Sequence, residues 1–168
     1  MELEGWEDGL LIAVLSDTHL PARGPSLPPG LVERLNGVDR ILHAGDLTSM
    51  ELLAILRRMA PVSAVHGNVD DPDVKLLLPR TRIVEAGGFR IGLVHGDGAG
   101  GTTLERARRS FREVDCVVFG HSHSPHLQWV DGILMLNPGS PTDPRREPRG
   151  SFALLRVGSR LEGEIIYI

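Results

Sequence analysis

Five short motifs in this chain carry carboxylates, imidazoles and a carboxamide, the side chains that bind hard and borderline divalent cations. In order they are Asp17-Thr18-His19, Gly45-Asp46, Gly67-Asn68-Val69-Asp70, His95-Gly96 and Gly120-His121-Ser122-His123. Each follows a short apolar run: Leu10 to Leu15, Arg40 to Leu42, Val62 to Val65, Arg90 to Val94 and Cys116 to Phe119. Such runs read as buried strands. Ligands of an open α/β sheet bind beyond the carboxyl ends of its strands, so all five motifs are expected to face one crevice. A donor set of oxygen and imidazole nitrogen, with no thiolate, is that of a two-metal site handling phosphate.

The spacing supports this. On extended backbone, Asp17 and His19 leave on the same face and can share a cation; His121 and His123 repeat the arrangement. A carboxylate at a strand end, such as Asp46, can bridge two cations about 3.5–4 Å apart. Asn68 adds a neutral oxygen and His95 an imidazole nitrogen. The mixed set favours Mn, Fe, Ni, Co or Zn over Mg or Ca. Taken singly, each motif has an ordinary reading as a turn, a helix start or a surface histidine. It is their order after successive strands that carries the inference.

The elements that must position these residues alternate in the first half of the chain. A helix is predicted from near Pro29, with Leu31, Val32 and Leu35 on its apolar face, and another from Ser49 to Met59, capped by Thr48 or Ser49 and stopped by Pro61. Strand two is taken to end at Asp46 and strand three at Gly67. This order implies parallel strands with right-handed crossovers. The second half is richer in strands. Thr81 to Ala86 and Phe89 to Val94 flank Gly87-Gly88, a hairpin signal; a helix over Thr103 to Arg112 leads to the strand Cys116 to Phe119. Two further pairs follow, Leu127 to Val130 with Ile133 to Leu136, and Phe152 to Val157 with Leu161 to Tyr167. The expected fold is α/β: two mixed β-sheets packed as a sandwich flanked by helices, with 1–168 forming a single domain without a cap.

Composition narrows the functional classes. The 168 residues, 41% hydrophobic and 24% charged, suit one globular domain with a real core. A net charge of −4 gives no electrostatic footprint for nucleic acid or an anionic membrane. Lys75 is the only lysine. Cys116 is the only cysteine, which excludes an intrachain disulfide, and its apolar strand suggests an inert buried thiol. Met1 to Gly9 are acidic and do not resemble a leader, and no stretch is long and apolar enough to span a bilayer. These features point to a cytoplasmic protein.

The ordered set Asp-x-His, Gly-Asp, Gly-Asn-x-Asp, His-Gly and Gly-His-x-His resembles the calcineurin-like metallophosphoesterases. Asn137-Pro138-Gly139-Ser140 also matches a string of the small bacterial and archaeal YfcE-type phosphodiesterases, which are related to the Vps29 group. The resemblance covers nearly the whole chain. It implies that Asp17, His19 and His123 hold one divalent metal ion, that Asn68, His95 and His121 hold a second, and that Asp46 bridges both. Asp46, Asn68 and His95 are the positions at which it places catalysis. It further implies in-line attack of a metal-bridging hydroxide on a small or activated phosphodiester, and homo-oligomers are common among its members.

The pattern departs from the wider family at Val69. Many members carry a histidine there that protonates the leaving group or contacts phosphate, help that is typically worth roughly 10²–10⁴-fold. The small branch commonly lacks it. Two other functions fit the same residues: a non-catalytic protein-binding scaffold like Vps29, or a phosphomonoesterase or nucleotidase on the same metals. Outside the ligand set, His43 suits either orientation of a ligand or a structural role, His66 suits a structural role, and His126 suits the rim. Asp70 and Asp71 read as turn residues, Asp70 with a possible part in fixing its loop. Arg145, Arg146 and Arg149 suit either a grip on a substrate phosphate at the rim or, the favoured reading, a solvated loop, while Arg106, Arg108, Arg109 and Arg112 read as a solvated face.

Overall fold

Alternating burial along the first strand sets the layering. In the computed structural model, which describes residues 9–168, β1 (Leu10–Leu15) sends Ala13 and Leu15 to one side and Ile12 and Val14 to the other. All four are fully buried, so both faces of the sheet are covered. The acidic start of the chain, Gly9 excepted, lies outside the described residues.

On the Ala13 side lie α1 (Pro29–Leu35), α2 (Met50–Met59) and α3 (Pro72–Leu77), which contribute Leu31, Leu35, Leu52, Leu53, Leu56 and Val74 to one apolar cluster. In the first sheet, β1 lies between β9 (Ser151–Val157) and β2 (Arg40–His43). Outside β9 is β10 (Leu161–Tyr167), and outside β2 is β3 (Val62–Ala64), giving the order β10-β9-β1-β2-β3. β1, β2 and β3 are parallel, while β9 is antiparallel to β1.

The second sheet contains β4 (Thr81–Ala86), β5 (Phe89–Val94), β6 (Cys116–Val118), β7 (His126–Val130) and β8 (Ile133–Asn137), in the order β4-β5-β6-β8-β7. Here β5, β6 and β8 are parallel and both edges antiparallel. Ile91, Leu93, Val118, Leu134 and Leu136 meet Ile12, Val14 and Leu42 of the first sheet. Behind the second sheet, α4 (Thr103–Arg109) packs Ala107 near Phe111, Val117 and Met135. The result is the predicted α/β sandwich of two mixed sheets with helices outside.

The strands stop earlier than expected. β2 ends at His43 rather than Asp46, β3 at Ala64 rather than Gly67, and β6 at Val118. The ligand-bearing residues therefore sit in loops and not on strand ends. Ser49 caps α2, accepting from Leu52 N at 3.5 Å. α4 starts with a capping box of Thr102 and Glu105 and ends at Arg109, short of Arg112. α3 has no counterpart in the sequence reading, because its six residues are too few for a helical period to show.

Candidate metal centre

The loops after β1, β2, β5 and β6 are stitched together by their backbones. Asp17 N donates to Gly45 O at 3.0 Å, His19 N to Asp46 O at 3.0 Å, and Gly120 N to His95 O at 3.0 Å. His121 N reaches Asp17 Oδ2 at 3.0 Å, joining the two sheets. Asp17 and His19, expected on extended backbone, do not adopt it. Asp17 (φ 54°), His19 (φ 45°), Asp46 (φ 56°), His121 (φ 70°) and His123 (φ 60°) are all left-handed. Non-glycine residues seldom adopt this region, and such outliers gather at functional sites. Two glycines are required by close approach. A Cβ on Gly67 would come within 2.1 Å of Asp46 Oδ1, and one on Gly120 within 2.6 Å of Asp17 Oδ2.

These turns bring two carboxylates among the imidazoles. Asp17 Oδ1 lies 3.5 Å from His123 Nε2, 3.7 Å from His95 Nε2 and 3.9 Å from His19 Nε2. Asp46 Oδ2 lies 3.1 Å from His95 Nε2 and 3.7 Å from His19 Nε2. Each carboxylate has its other oxygen engaged. Asp17 Oδ2 accepts from Ser16 Oγ and His121 N, and Asp46 Oδ1 accepts from Val69 N. Among the described residues, two groups have the closeness a cation needs: Asp17 with His19 and His123, and Asp17 with Asp46 and His95.

The tautomers are fixed from outside. His95 Nδ1 donates to Ala44 O at 2.8 Å and His123 Nδ1 to Asp143 O at 2.5 Å, so both present Nε2 to the carboxylates. Two buried atoms here, Asp17 Oδ1 and His95 Nε2, have no hydrogen-bond partner; His95 Nε2 is near Asp46 but out of line for a bond. Unpaired buried polar atoms are costly, and a cation would satisfy both. The donor set therefore fits divalent metal.

Burial raises the Asp17 carboxyl to about 6, against the lowering effect of charge on His95. Burial also opposes the charged form of Asp46, but the His95 contact and the Val69 N–H outweigh it and hold that carboxyl at about 2. For His95, burial works downward, yet Asp46 and Asp17 raise it to about 9. Burial lowers His19, His121 and His123.

Residues beyond the ligand set do much of the positioning. Asp70, read from sequence as a turn residue with a possible part in its loop, is buried. It accepts from Asp46 N (3.0 Å), Gly67 N (2.7 Å) and Thr48 N (2.7 Å). His43 is fully buried and accepts from Gly45 N at Nδ1; its Nε2 then donates to Thr18 Oγ1 at 3.1 Å. Ser140 Oγ donates to Asp17 O, Thr142 Oγ1 to Thr18 O, and Asn137 Nδ2 to Gly120 O. Ser140 and Asn137 belong to a string quoted above, but nothing local in the sequence marks Thr142. Arg106 is not merely solvated. It donates to Gly96 O, Gly101 O and Thr103 Oγ1, tying down the loop after His95.

The remaining predicted residues are less enclosed. His121 is half-buried, its ring edge-on to His95 at 5.3 Å between centroids. Asn68 is exposed, its carbonyl accepting from Lys75 Nζ at 2.9 Å. His66 Nδ1 hydrogen-bonds its neighbour's carbonyl, Gly67 O. His126 begins β7 beside Phe119. Cys116 is buried, and burial pushes its thiol up.

Residues 10–160 match the model of the calcineurin-like phosphoesterase superfamily domain. A probable metallophosphoesterase of Methanothermobacter thermautotrophicus is 38% identical over 159 residues, covering 94% of this chain and 92% of that protein. Another, from Methanocaldococcus jannaschii, is 41% identical over 162 residues, covering 95% and 82%. Among solved structures, Vps29 of Entamoeba histolytica complexed with zinc superposes with a TM-score of 0.73 at 29% identity, covering 94% of this chain and 99% of that one.

Proposed function

The chain belongs to the calcineurin-like phosphoesterase superfamily, and from that premise we propose that it is a phosphodiesterase dependent on two divalent cations. The observation that carries this reading is the pair of buried carboxylates, each with one oxygen engaged and the other among imidazoles. In the proposed assignment Asp17, His19 and His123 hold one cation, Asn68, His95 and His121 the other, and Asp46 both. Manganese, iron, nickel, cobalt or zinc suits this set. The cations would supply Lewis acidity and a water acidic enough to attack phosphorus at neutral pH. The protein's part is to fix the donor geometry and to keep Asp46 ionised.

Val69 cannot donate a proton, so good leaving groups are favoured. A diester has a smaller charge than a monoester and needs fewer cationic contacts, and Arg80, Arg106 and Lys75 near the centre are engaged by protein groups. The substrate is accordingly a small or activated phosphodiester. Asp46→Asn and His121→Ala should each abolish hydrolysis of bis-p-nitrophenyl phosphate while leaving the circular dichroism spectrum unchanged. Full activity in either variant would overturn the assignment, and faster turnover of p-nitrophenyl phosphate would make the protein a monoesterase.

One observation favours a second reading, a Vps29-like binding scaffold. An open apolar groove of about 500 Å³ lies between α1 and α2, lined by Leu20, Pro21, Leu27, Val32 and Ile55. Two bound cations without turnover of any phosphoester would favour it.

A further inference from the structure

The rim beside His123 has more positive charge than its carboxylate matches. Asp143, whose carbonyl fixes His123, has its Oδ2 at 3.2 Å from Arg23 Nε and 4.0 Å from Arg145 Nε, and 3.8 Å from His123 Nδ1. Among the described residues it is the only carboxylate in ion pairs with two arginines. Both side chains are more than half exposed, whereas the Asp143 carboxylate is largely covered. The two come from different loops. Arg23 N donates to His19 O at 2.7 Å, and Arg145 follows the loop fastened to Asp17 and Thr18 by Ser140 and Thr142. Arg145 itself is left-handed, with φ 52°.

Elsewhere around the centre the cations are engaged. Arg80 is matched by Asp97, Arg106 is spread over two carbonyls and a hydroxyl, and Lys75 donates to the Asn68 carbonyl. Beside His123 the two arginines exceed Asp143 by one formal charge, and their forked donors face solvent, where arginine forks suit phosphate oxygens.

We propose that Arg23 and Arg145 form a subsite for a second, non-reacting phosphate of the substrate, one imidazole ring away from the metal-binding atoms of His19, His123 and Asp17. The preferred substrate is then a diester that carries a further phosphate group, as a phosphorylated nucleotide ester does. This rests on the phosphodiesterase reading. It differs from that reading in asking what binds beside the metals and not whether they turn over. The Asp143 carboxylate holds the two guanidinium groups together in the free protein, and an incoming phosphate is shared between them.

The test compares the p-nitrophenyl ester of thymidine monophosphate with the same ester bearing an additional phosphate on the sugar. Manganese-loaded wild type, Arg23→Gln and Arg145→Gln are assayed alongside Arg23→Lys and Arg145→Lys. Wild type should favour the additionally phosphorylated ester about tenfold in kcat/KM, mostly through KM, as expected for hydrogen bonds to a charged group. Each Gln variant should move that ratio toward one, with the Lys variants between. A purely structural bridge to Asp143 would lower both rates together and leave the ratio unchanged, and that result overturns the proposal. Calorimetry with the two products, thymidine monophosphate and the bisphosphate, reads the subsite without turnover. Tighter bisphosphate binding lost in the Gln variants, with neither ester hydrolysed, would sustain the subsite and defeat the phosphodiesterase reading. Equal affinities for the two products defeat the subsite. Should Arg23→Gln unfold, Arg145→Gln decides alone, since its contact with Asp143 is the longer.

Discussion

Asp70 shows how much of the centre depends on a residue outside the ligand set. Its carboxylate gathers three backbone N–H groups from the loops of Asp46 and Gly67. Asp70→Ala would strand those donors in a buried place. It should cost about 3 kcal/mol in urea unfolding of the metal-free protein and weaken manganese binding by roughly 10–100-fold in calorimetry. A change within about 0.5 kcal/mol, the scale of ordinary surface substitutions, would show the brace to be idle. His43 makes a prediction about pH. It is held neutral by burial, with its pKa lowered from 6.5 to about 3. Between those values the unfolded chain binds the extra proton, so stability rises with pH and is lost as pH falls below 6.5. From pH 7 to pH 5 the metal-free protein should lose about 2 kcal/mol through this group. The lowered His19, His121 and His123 act in the same direction, while two groups oppose them: Asp17, raised to about 6, between its unfolded value of 3.8 and 6, and His95, raised to about 9, between 6.5 and 9. The share of His43 is read against His43→Gln: a variant whose stability changes between pH 7 and pH 5 by the same amount as wild type would contradict the assignment. At this scale the ligand candidates were legible because their types are rare together and ordered. Their left-handed backbones were not, since φ leaves no mark on a string such as Asp-Thr-His.

Among the elements, β4, β5 and β10 fall where alternation and the Gly87-Gly88 turn placed them. β2 and β3 were overextended, because the apolar run continues into the loop: Ala44 and Val65 are buried yet lie beyond their ends. α3 was missed for the opposite reason. Its only buried residue is Val74, and Leu76 is 90% exposed, so no apolar stripe announces it. The contrast predicts stabilities. Leu53→Ala, in the fully packed face of α2, should cost about 2–5 kcal/mol. Leu76→Ala should stay within about 0.5 kcal/mol, both read from chemical denaturation. A large loss at Leu76 would mean that α3 is covered in solution by a partner.

For the molecule as a whole, the sandwich was legible from the switch between alternating strand and helix and a strand-rich second half. The joining of its two sheets at one edge was not, because it depends on contacts such as His121 N to Asp17 Oδ2, 104 residues apart in sequence. Arg145 was a rim candidate in the sequence, but its meeting with Arg23 at Asp143 was not legible, since the two lie in loops far apart in the chain and the −4 net charge has no location. No helix among the described residues is long and apolar enough to cross a membrane. Two cations and one reaction are addressed by a single titration. Metal-free protein is given manganese in increments, and hydrolysis of bis-p-nitrophenyl phosphate is followed. Turnover should rise until two equivalents per chain are bound and then level off. Two equivalents bound with no turnover of the diester would contradict the phosphodiesterase reading.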